Sequence, residues 1–455
     1  MLNAMSLGRS ITFDLRLLAY EVQCARAHVQ ALLDAEKISA VDAGCLEIGL
    51  DSAFESIQST RGIQHLMHFE DVSECLDHFL TEAVGDVAAN LRLGRARNDV
   101  SVTALRLWMR EAVTTLGREV RELADALLAA AEKHADSVIV GYSHLQPARP
   151  ITLGFVCAAH AMGLVRDLRL LAFVKASIQE CPLGAGAMSG GEAWLNRDSL
   201  STALGFSRPT MNALDSVGSR DFVVGFLSSC LQVANRLSRL GSEIDQLVEL
   251  GGIPLTTAVS GSACIVDWKS YAVKMRVAPG VPLGSLGSVI STTSALSLSY
   301  FRDLQEDKEA VFAAFDALEA PLRAAVISVK HLATVVVPPL DAIRQGDILA
   351  ADYAEGLVRS LRVSYKDAHR MIGQLVQATR EEEVPVNALS SAALRAVDAR
   401  LTPGVIQSIS FGDAVGSRAA PGGTAPQRLR KDLLSIRAAL EEANRDCMLN
   451  GFQHN

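Results

Sequence analysis

A serine and a histidine stand side by side in a polar segment, and this pair is a candidate for proton chemistry. Ser143 and His144 lie within residues 141–150, which read Gly-Tyr-Ser-His-Leu-Gln-Pro-Ala-Arg-Pro. Histidine is the side chain most readily used as an acid or a base near neutral pH. The two prolines fix a turn and lead into a helix that we predict to begin at Ile151. A single histidine in a turn is more often structural, so the pair alone leaves both interpretations open.

Three arginines share a short loop with two further polar residues. The loop contains Arg92, Arg95, Arg97, Asn98 and Asp99. A guanidinium group binds a carboxylate through two parallel hydrogen bonds, so this loop is suited to an acidic substrate. The alternative is a structural role, in which Asn98 or Asp99 caps the helix that follows.

A third polar group combines a tyrosine, a glutamine and a lysine at spacings of five and three. On a single helix Gln305 and Lys308 would share a face, and Tyr300 would lie about 140° from Gln305. The surrounding run, residues 302–309, reads Arg-Asp-Leu-Gln-Glu-Asp-Lys-Glu. By itself such a run is typical of a solvated helix face.

Long amphipathic helices must position these polar segments. Apolar residues recur three and four positions apart over residues 100–135, 151–178 and 222–250. These segments exceed the usual helix length and predict a long bundle, and the 5% aromatic content also favours helices over sheets. We therefore predict an all-α fold with function on its connecting segments. The predicted connections are residues 92–99, 141–150, 182–191, 260–262 and 280–287.

Composition and charge exclude several classes of function. A net charge of −8 disfavours a nucleic-acid partner, because phosphates attract basic surfaces. The chain contains no apolar run of 18 residues and no signal-peptide pattern at its N-terminus, so we expect no membrane span. The eight cysteines are scattered without metal-type spacing, which indicates reduced thiols in the cytoplasm.

Four polar motifs resemble, in order and spacing, those of argininosuccinate lyases, a branch of the fumarase/aspartase superfamily. They are residues 97–99, 141–146, 212–222 and 303–309. The resemblance extends from Ser10 to Ala425. It implies all-α homotetramers with active sites shared by three subunits, and three domains at residues 1–97, 98–337 and 338–455. It also implies a β-elimination that releases fumarate without a metal or an organic cofactor.

The resemblance assigns roles to individual residues. Ser262 matches the general base of a flexible loop, and Ser143 with His144 matches a pair that assists proton transfer. Lys269 lies one position from a family loop lysine. Positions that match substrate contacts are Ser10, Arg97, Asn98, Arg197, Tyr300, Gln305 and Lys308.

Other positions depart from the family pattern. Trp268 and Ser270 replace the loop lysine and asparagine, and Val273 or Met275 stands where a glutamate orients the histidine. Ser73 replaces a histidine. We interpret these departures as lying on the proton-transfer and fumarate side of the substrate, with the amino-acid side retained.

The preferred prediction is a carbon–nitrogen lyase acting on an argininosuccinate-like, aspartate-derived substrate, with release of fumarate or a related enoate. Two alternatives stay open. One is a non-catalytic homologue that binds an amino-acid ligand. The other is different chemistry in the same pocket, in an enzyme of specialised metabolism.

Overall fold

Helices make up most of the protein, and the computed structural model describes residues 9–60, 65–250, 253, 268–340, 348–382, 384–406 and 409–449. In this part the α-helices are α1 (Ile11–Asp14), α2 (Leu18–Asp34), α3 (Ala40–Ser59), α4 (Val72–Val84), α5 (Arg97–Lys133), α6 (Leu153–Ser177), α7 (Arg197–Ala203), α8 (Ala213–Gly218), α9 (Asp221–Glu249), α10 (Trp268–Arg276), α11 (Gly280–Ser294), α12 (Asp307–Leu332), α13 (Ala350–Leu361), α14 (Tyr365–Glu382), α15 (Ser391–Val397), α16 (Phe411–Gly416) and α17 (Pro426–Met448). Short 3-10 helices span Leu15–Leu17, Gly85–Arg92, Arg302–Glu306 and Val386–Ala388. The strands are β1 (Val138–Ser143), β2 (Gln146–Thr152), β3 (Glu180–Cys181) and β4 (Arg208–Pro209). The predicted all-α class is confirmed, with two small two-stranded sheets added to it.

The long helices form a packed bundle. Helices α5, α9, α12 and α6 contain 37, 29, 26 and 25 residues, and each buries a wide apolar stripe. Phe226, Leu227 and Leu237 of α9 are fully buried, and a buried side chain of this size stabilises the fold by about 1.5–3 kcal/mol. None of the described helices is long and apolar enough to cross a membrane.

One predicted connection is wrong. Residues 280–287 belong to helix α11 and do not form a loop. Glycine inside a helix costs only about 1 kcal/mol, and Pro282 lies in the first turn, where its missing N–H is tolerated. Packing of α11 against α9 and α12 outweighs those local penalties.

A β-hairpin forms where we predicted a turn leading into a helix at Ile151. Strands β1 and β2 pair antiparallel, and the helix begins two residues later than predicted, at Leu153. Thr152 caps this helix, because its side-chain oxygen accepts from the N–H of Phe155 at 3.1 Å. The hairpin turn places His144 and Leu145 at φ angles of 53° and 60°, in the left-handed region.

Three hydrophobic clusters lie among the described residues. The smallest includes Cys24, Leu183 and Phe206, and the other two organise the rest of the packing. The larger cluster joins the N-terminal helices to the long bundle and also includes the last helix, α17, which packs on α5 and α6. The smaller of these two clusters is built from residues 349–414. The domain limits that we placed at residues 97 and 337 stay a prediction.

Candidate active site

The loop that contains the arginines leads into helix α5, and one buried carboxylate stabilises this junction through hydrogen bonds. Asp99 accepts a hydrogen bond from the N–H of Ala96 at 3.1 Å and caps the helix from inside its first turn. It also accepts from the N–H groups of Gly184 and Gly186 at 2.9 and 2.8 Å. Burial raises the pKa of Asp99 to about 6, although these hydrogen bonds act in the opposite direction. The capping role that we considered for this loop therefore belongs to Asp99.

Asn98 and Arg197 both contact the polypeptide around residues 181–187. The amide of Asn98 donates to the carbonyl of Ala187 at 3.2 Å. The guanidinium of Arg197 donates to the carbonyl oxygens of Cys181, Leu183 and Thr210, at 3.0–3.1 Å. In the subunit these two predicted substrate contacts support the loop that follows β3.

Lys308 lies buried among charged groups at the beginning of α12, with a side chain only 4% exposed. Its ammonium donates to the carbonyl oxygen of Gln305 at 3.3 Å and lies 3.6 Å from a carboxylate oxygen of Asp307. Asp307 also pairs with the guanidinium of Arg220, which is equally buried. The solvated-face interpretation therefore does not apply to Lys308.

Tyr300 and Gln305 lie beside this lysine. Tyr300 is in an irregular segment that precedes the 3-10 helix Arg302–Glu306, so the three residues do not share one helix as we assumed. The Tyr300 side chain hydrogen-bonds with Gln305, and burial raises the pKa of its phenol. A turn between two kinds of helix brings the three polar groups together.

Ser10 approaches the same place from the N-terminal segment. Its N–H donates to the carbonyl of Glu70 at 2.9 Å, and its hydroxyl donates to Asp14. Burial raises the pKa of Asp14 to about 6, and the charge of Lys308 counteracts this. Asp14 was missed from the sequence, although its i, i+4 spacing from Ser10 was a signal for it.

Arg97 is the last member of this group of polar residues. Its guanidinium lies 3.9 Å from a carboxylate oxygen of Glu70 and 3.7 Å from one of Asp71. We call the whole group the Lys308 end of the bundle, and it consists of Ser10, Asp14, Glu70, Asp71, Arg97, Arg220, Tyr300, Gln305, Asp307 and Lys308. The structure thus brings together five predicted substrate contacts.

Ser143 and His144 lie elsewhere, exposed at the tip of the hairpin. The neighbouring Tyr142 donates its hydroxyl to the carbonyl of Leu250 at 2.7 Å. The ammonium of Lys269, with a side chain 76% exposed, lies 3.0 Å from the carboxylate of Glu249. Leu250 and Glu249 are adjacent in the sequence, so the hairpin tip and Lys269 lie in one region, which we call the hairpin end.

Other sequence departures lie near this end. Trp268 stacks on His331 at the end of α12, with ring centroids 4.7 Å apart. Val273 is exposed on α10, whereas Met275 is buried. The predicted base Ser262 lies outside the described residues. Ser73 is not at this end of the subunit, because its hydroxyl donates to Glu21 at 2.7 Å near Asp71. The interpretation that the departures share one side of the substrate stays a prediction.

Helix length separates the two ends. Helix α5 begins at Arg97, beside the Lys308 end, and its 37 residues run toward the hairpin. At about 1.5 Å per residue this helix is about 55 Å long. Helix α9, which links Arg220 to Glu249, spans about 43 Å on the same basis. Within one subunit Ser143 and His144 therefore do not meet the predicted substrate contacts at the Lys308 end.

A cavity of about 560 Å³ lies under the hairpin. Its polar lining includes Arg149, His160, Arg236, Arg239 and Glu243. Burial and the two nearby arginines of α9 lower the pKa of His160 to about 4, so this imidazole is neutral at physiological pH. Among the described residues no His, Cys, Asp and Glu cluster is arranged to hold a metal ion.

Two family models match the chain. A lyase family model matches residues 8–262, and a model of the argininosuccinate lyase C-terminal region matches residues 347–416. A curated argininosuccinate lyase from Frankia casuarinae (strain DSM 45818 / CECT 9043 / HFP020203 / CcI3) is 35% identical over 442 residues, which cover 96% of this chain and 94% of that protein.

Solved structures show the same fold at lower identity. EDDS lyase in complex with formate has a TM-score of 0.80 at 22% identity, covering 96% of this chain and 88% of that one. The 3-carboxy-cis,cis-muconate lactonizing enzyme from Pseudomonas putida has a TM-score of 0.69 at 20% identity, covering 95% of both chains. A fumarate lyase from Mesorhizobium sp. BNC1 has a TM-score of 0.67 at 17% identity, covering 95% of this chain and 94% of that one. The chain therefore belongs to the argininosuccinate lyase branch of the fumarase/aspartase superfamily.

Proposed function

We propose that the protein is a carbon–nitrogen lyase that cleaves an argininosuccinate-like, aspartate-derived substrate by β-elimination. The observation that carries this proposal is the Lys308 end, where Ser10, Arg97, Tyr300, Gln305 and Lys308 lie together. Hydroxyl, amide, ammonium and guanidinium groups at one place are suited to the ammonium and carboxylate of an amino acid.

The elimination breaks a carbon–nitrogen bond after a proton is removed next to a carboxylate. The electron pair released from that C–H bond first forms an aci-carboxylate and then expels the nitrogen, which takes up a proton. Donors that hold the negative charge of this intermediate accelerate the reaction. In the proposal Ser262 removes the proton, Ser143 and His144 assist its transfer, and Lys269 faces the carboxylate. The product is fumarate or a related enoate.

We further propose that the active sites are shared within a homotetramer. The separation of the two ends supports this, since His144 cannot reach the Lys308 end of its own subunit. Exposed apolar side chains on and around α11 also support a homotetramer, because an exposed apolar patch usually marks a protein–protein interface. Those side chains are Val277, Val281, Leu283, Ile290 and Leu298, which are 44–63% exposed. Within the described residues the cysteines are free and all except Cys45 are buried, which supports a cytoplasmic location.

The test is turnover of argininosuccinate by the purified full-length protein. We expect the ultraviolet absorbance of an enoate to increase, and we expect Ser262→Ala and His144→Asn each to abolish the increase. Arg118→Gln, an exposed change on α5, is the matched control and should keep full activity. Unchanged turnover in both active-site variants would contradict the assignment.

A second candidate is a homologue that binds an amino acid without converting it. The exposed Val273 favours it, because an aliphatic side chain cannot orient a histidine through a hydrogen bond. Ligand binding without turnover of any aspartate-derived adduct is the result expected from this candidate. Turnover that depends on Ser262 excludes it.

A further inference from the structure

A second cavity, of about 160 Å³, lies where helices α2 and α4 meet the beginning of α5. We call it the Arg95 pocket, and it is lined by Glu21, Ser73, Leu76, Asp77, Arg92, Arg95, Ala96, Arg97 and Val100. Arg97 also belongs to the Lys308 end, so the pocket adjoins the proposed substrate site. No step of the proposed elimination uses the other lining groups.

The three arginines of the pocket differ in their partners. Arg92 pairs with Asp77 at 2.9 Å, and Arg97 is turned toward Glu70 and Asp71. The guanidinium of Arg95 makes no hydrogen bond or ion pair with any residue in the described part of the chain. Burial lowers its pKa, yet a guanidinium stays charged at any physiological pH. The pocket therefore contains a cation without a direct partner.

Glu21 could neutralise this cation, but its surroundings keep it protonated. Its side chain is buried, and it accepts the hydroxyl of Ser73 at 2.7 and 2.9 Å. Burial raises the pKa of Glu21 to about 8, and the carboxylates of Asp71 and Asp14 act in the same direction, while Ser73 and Arg95 oppose them. At neutral pH the carboxyl group is uncharged and carries a proton that it can donate.

The other groups around Arg95 make no direct bond to it, although the nearby carboxylates of Asp77 and Asp99 favour its charged form. Burial raises the pKa of the Cys24 thiol well above its usual value, so this thiol is uncharged. Burial and Arg95 lower the pKa of His28 to about 4, and its Nδ1 atom has no hydrogen-bond partner among the described residues. Asp99 is already occupied by three backbone N–H groups. The guanidinium of Arg95 therefore lines the pocket without a carboxylate bonded to it.

We propose that the Arg95 pocket binds a small carboxylate, with the guanidinium of Arg95 facing it and Glu21 donating to it. A planar carboxylate matches the two parallel donors of a guanidinium. A cavity of about 150 Å³ holds a molecule of the size of benzene, so the pocket accommodates a short carboxylic acid. The carboxylate belongs either to a free small acid or to the lyase substrate as an additional group. In the second case the substrate would extend past Arg97 into the pocket.

The experiment measures binding of acetate to the full-length protein by calorimetric titration. Arg95→Gln removes the charge and Ser73→Leu fills the cavity, and each should weaken binding by about tenfold or more. Arg118→Gln is the matched control, and Lys308→Met removes the neighbouring ammonium, so neither should change the affinity. Affinity should fall as Glu21 ionises, from about pH 7 to about pH 9.

Equal affinity in wild type and Arg95→Gln overturns the proposal, and so does loss of binding in Lys308→Met, which would place acetate at the Lys308 end. Circular dichroism checks that each variant is folded. If Arg95→Gln or Ser73→Leu fails to fold, a wild-type crystal soaked with acetate replaces that variant. Electron density for acetate beside Arg95 supports the proposal, and an empty pocket overturns it.

A competition arm distinguishes the two sources of the carboxylate. Saturating argininosuccinate displaces acetate if the group belongs to the substrate and leaves acetate bound if it is free. Because binding is measured without turnover, failure of this proposal is distinguishable from failure of the proposed lyase activity.

Discussion

The two ends of the bundle differ in how complete they are within one subunit. At the Lys308 end, Asp14, Arg220, Asp307 and Lys308 are at most 5% exposed and are bonded to one another or to their neighbours. At the hairpin end the predicted proton-transfer residues are exposed and bonded mainly through the residues beside them. The difference indicates that folding of one subunit assembles the predicted binding groups, whereas the predicted proton-transfer residues Ser143 and His144 stay exposed on its surface.

The largest expected effect tests whether the two ends cooperate between subunits. Lys308→Met and His144→Asn should each lower argininosuccinate turnover by about 10²–10⁴-fold, because each removes a group that we propose to contact the substrate. When the two variants are unfolded together and refolded, random assembly should restore about one quarter of the sites. The measurement is turnover of the mixture. The double variant refolded alone is the control, and a mixture that stays as inactive as this control would contradict shared sites.

The next effect compares buried and exposed ion pairs at the two ends. Arg220→Met leaves Asp307 buried without its guanidinium partner, which should cost about 3–5 kcal/mol in free energy of unfolding. Lys269→Met breaks the exposed contact with Glu249 and should cost less than about 1 kcal/mol. Urea denaturation measures both changes. Similar losses in free energy of unfolding for the two variants would contradict the predicted difference between buried and exposed ion pairs.

A pH prediction follows from Glu21, beside the Lys308 end. The pKa of this group rises from 4.5 to about 8 on folding, so its contribution to stability is complete below about pH 4.5 and is lost as the pH rises through about 8. Glu21→Gln keeps the shape without the ionisation. The variant should gain about 1–3 kcal/mol relative to wild type between about pH 6 and about pH 9.

Urea denaturation at several pH values measures this gain. Glu55→Gln is the control, and it should leave the slope unchanged because that side chain is exposed to water. A slope in Glu21→Gln equal to that of wild type would show that Glu21 is ionised throughout this range.

The smallest effect concerns the hairpin tip. Leu145 adopts a φ of 60°, which a side chain with a Cβ atom disfavours. Leu145→Gly should therefore stabilise the hairpin by up to about 1 kcal/mol. Ala148→Gly, in strand β2, should destabilise it by about 0.5–1 kcal/mol. Amide hydrogen exchange over residues 138–152 reports both, and a loss of protection in Leu145→Gly would contradict the prediction.

The bundle was predictable from the sequence, because apolar periodicity over 30 or so residues reflects burial directly. The hairpin was not, since its two prolines suggested a turn and pairing between strands depends on contacts that local patterns do not encode. Helix α11 was not predicted, because its glycines locally indicate a loop. The packing that stabilises this helix cannot be inferred from the segment alone.

The sequence supplied individual candidate residues for the site but not their arrangement in space. Resemblance identified Tyr300, Gln305 and Lys308, while their burial depends on Arg220 and Asp307, which become neighbours only when α9 and α12 pack. The separation of His144 from Lys308 depends on the length of α5, which no individual motif contains.

That length has a consequence for how the chain can vary. Inserting one residue into α5 would rotate everything after it by about 100° and advance it by about 1.5 Å. The rotation would turn the hairpin away from its position relative to Asn98, because one uninterrupted helix fixes both. Loops at the surface accept changes of length, but the number of residues in α5 sets the rotation between the two candidate regions. A homologue that keeps both regions should therefore keep the number of residues between them.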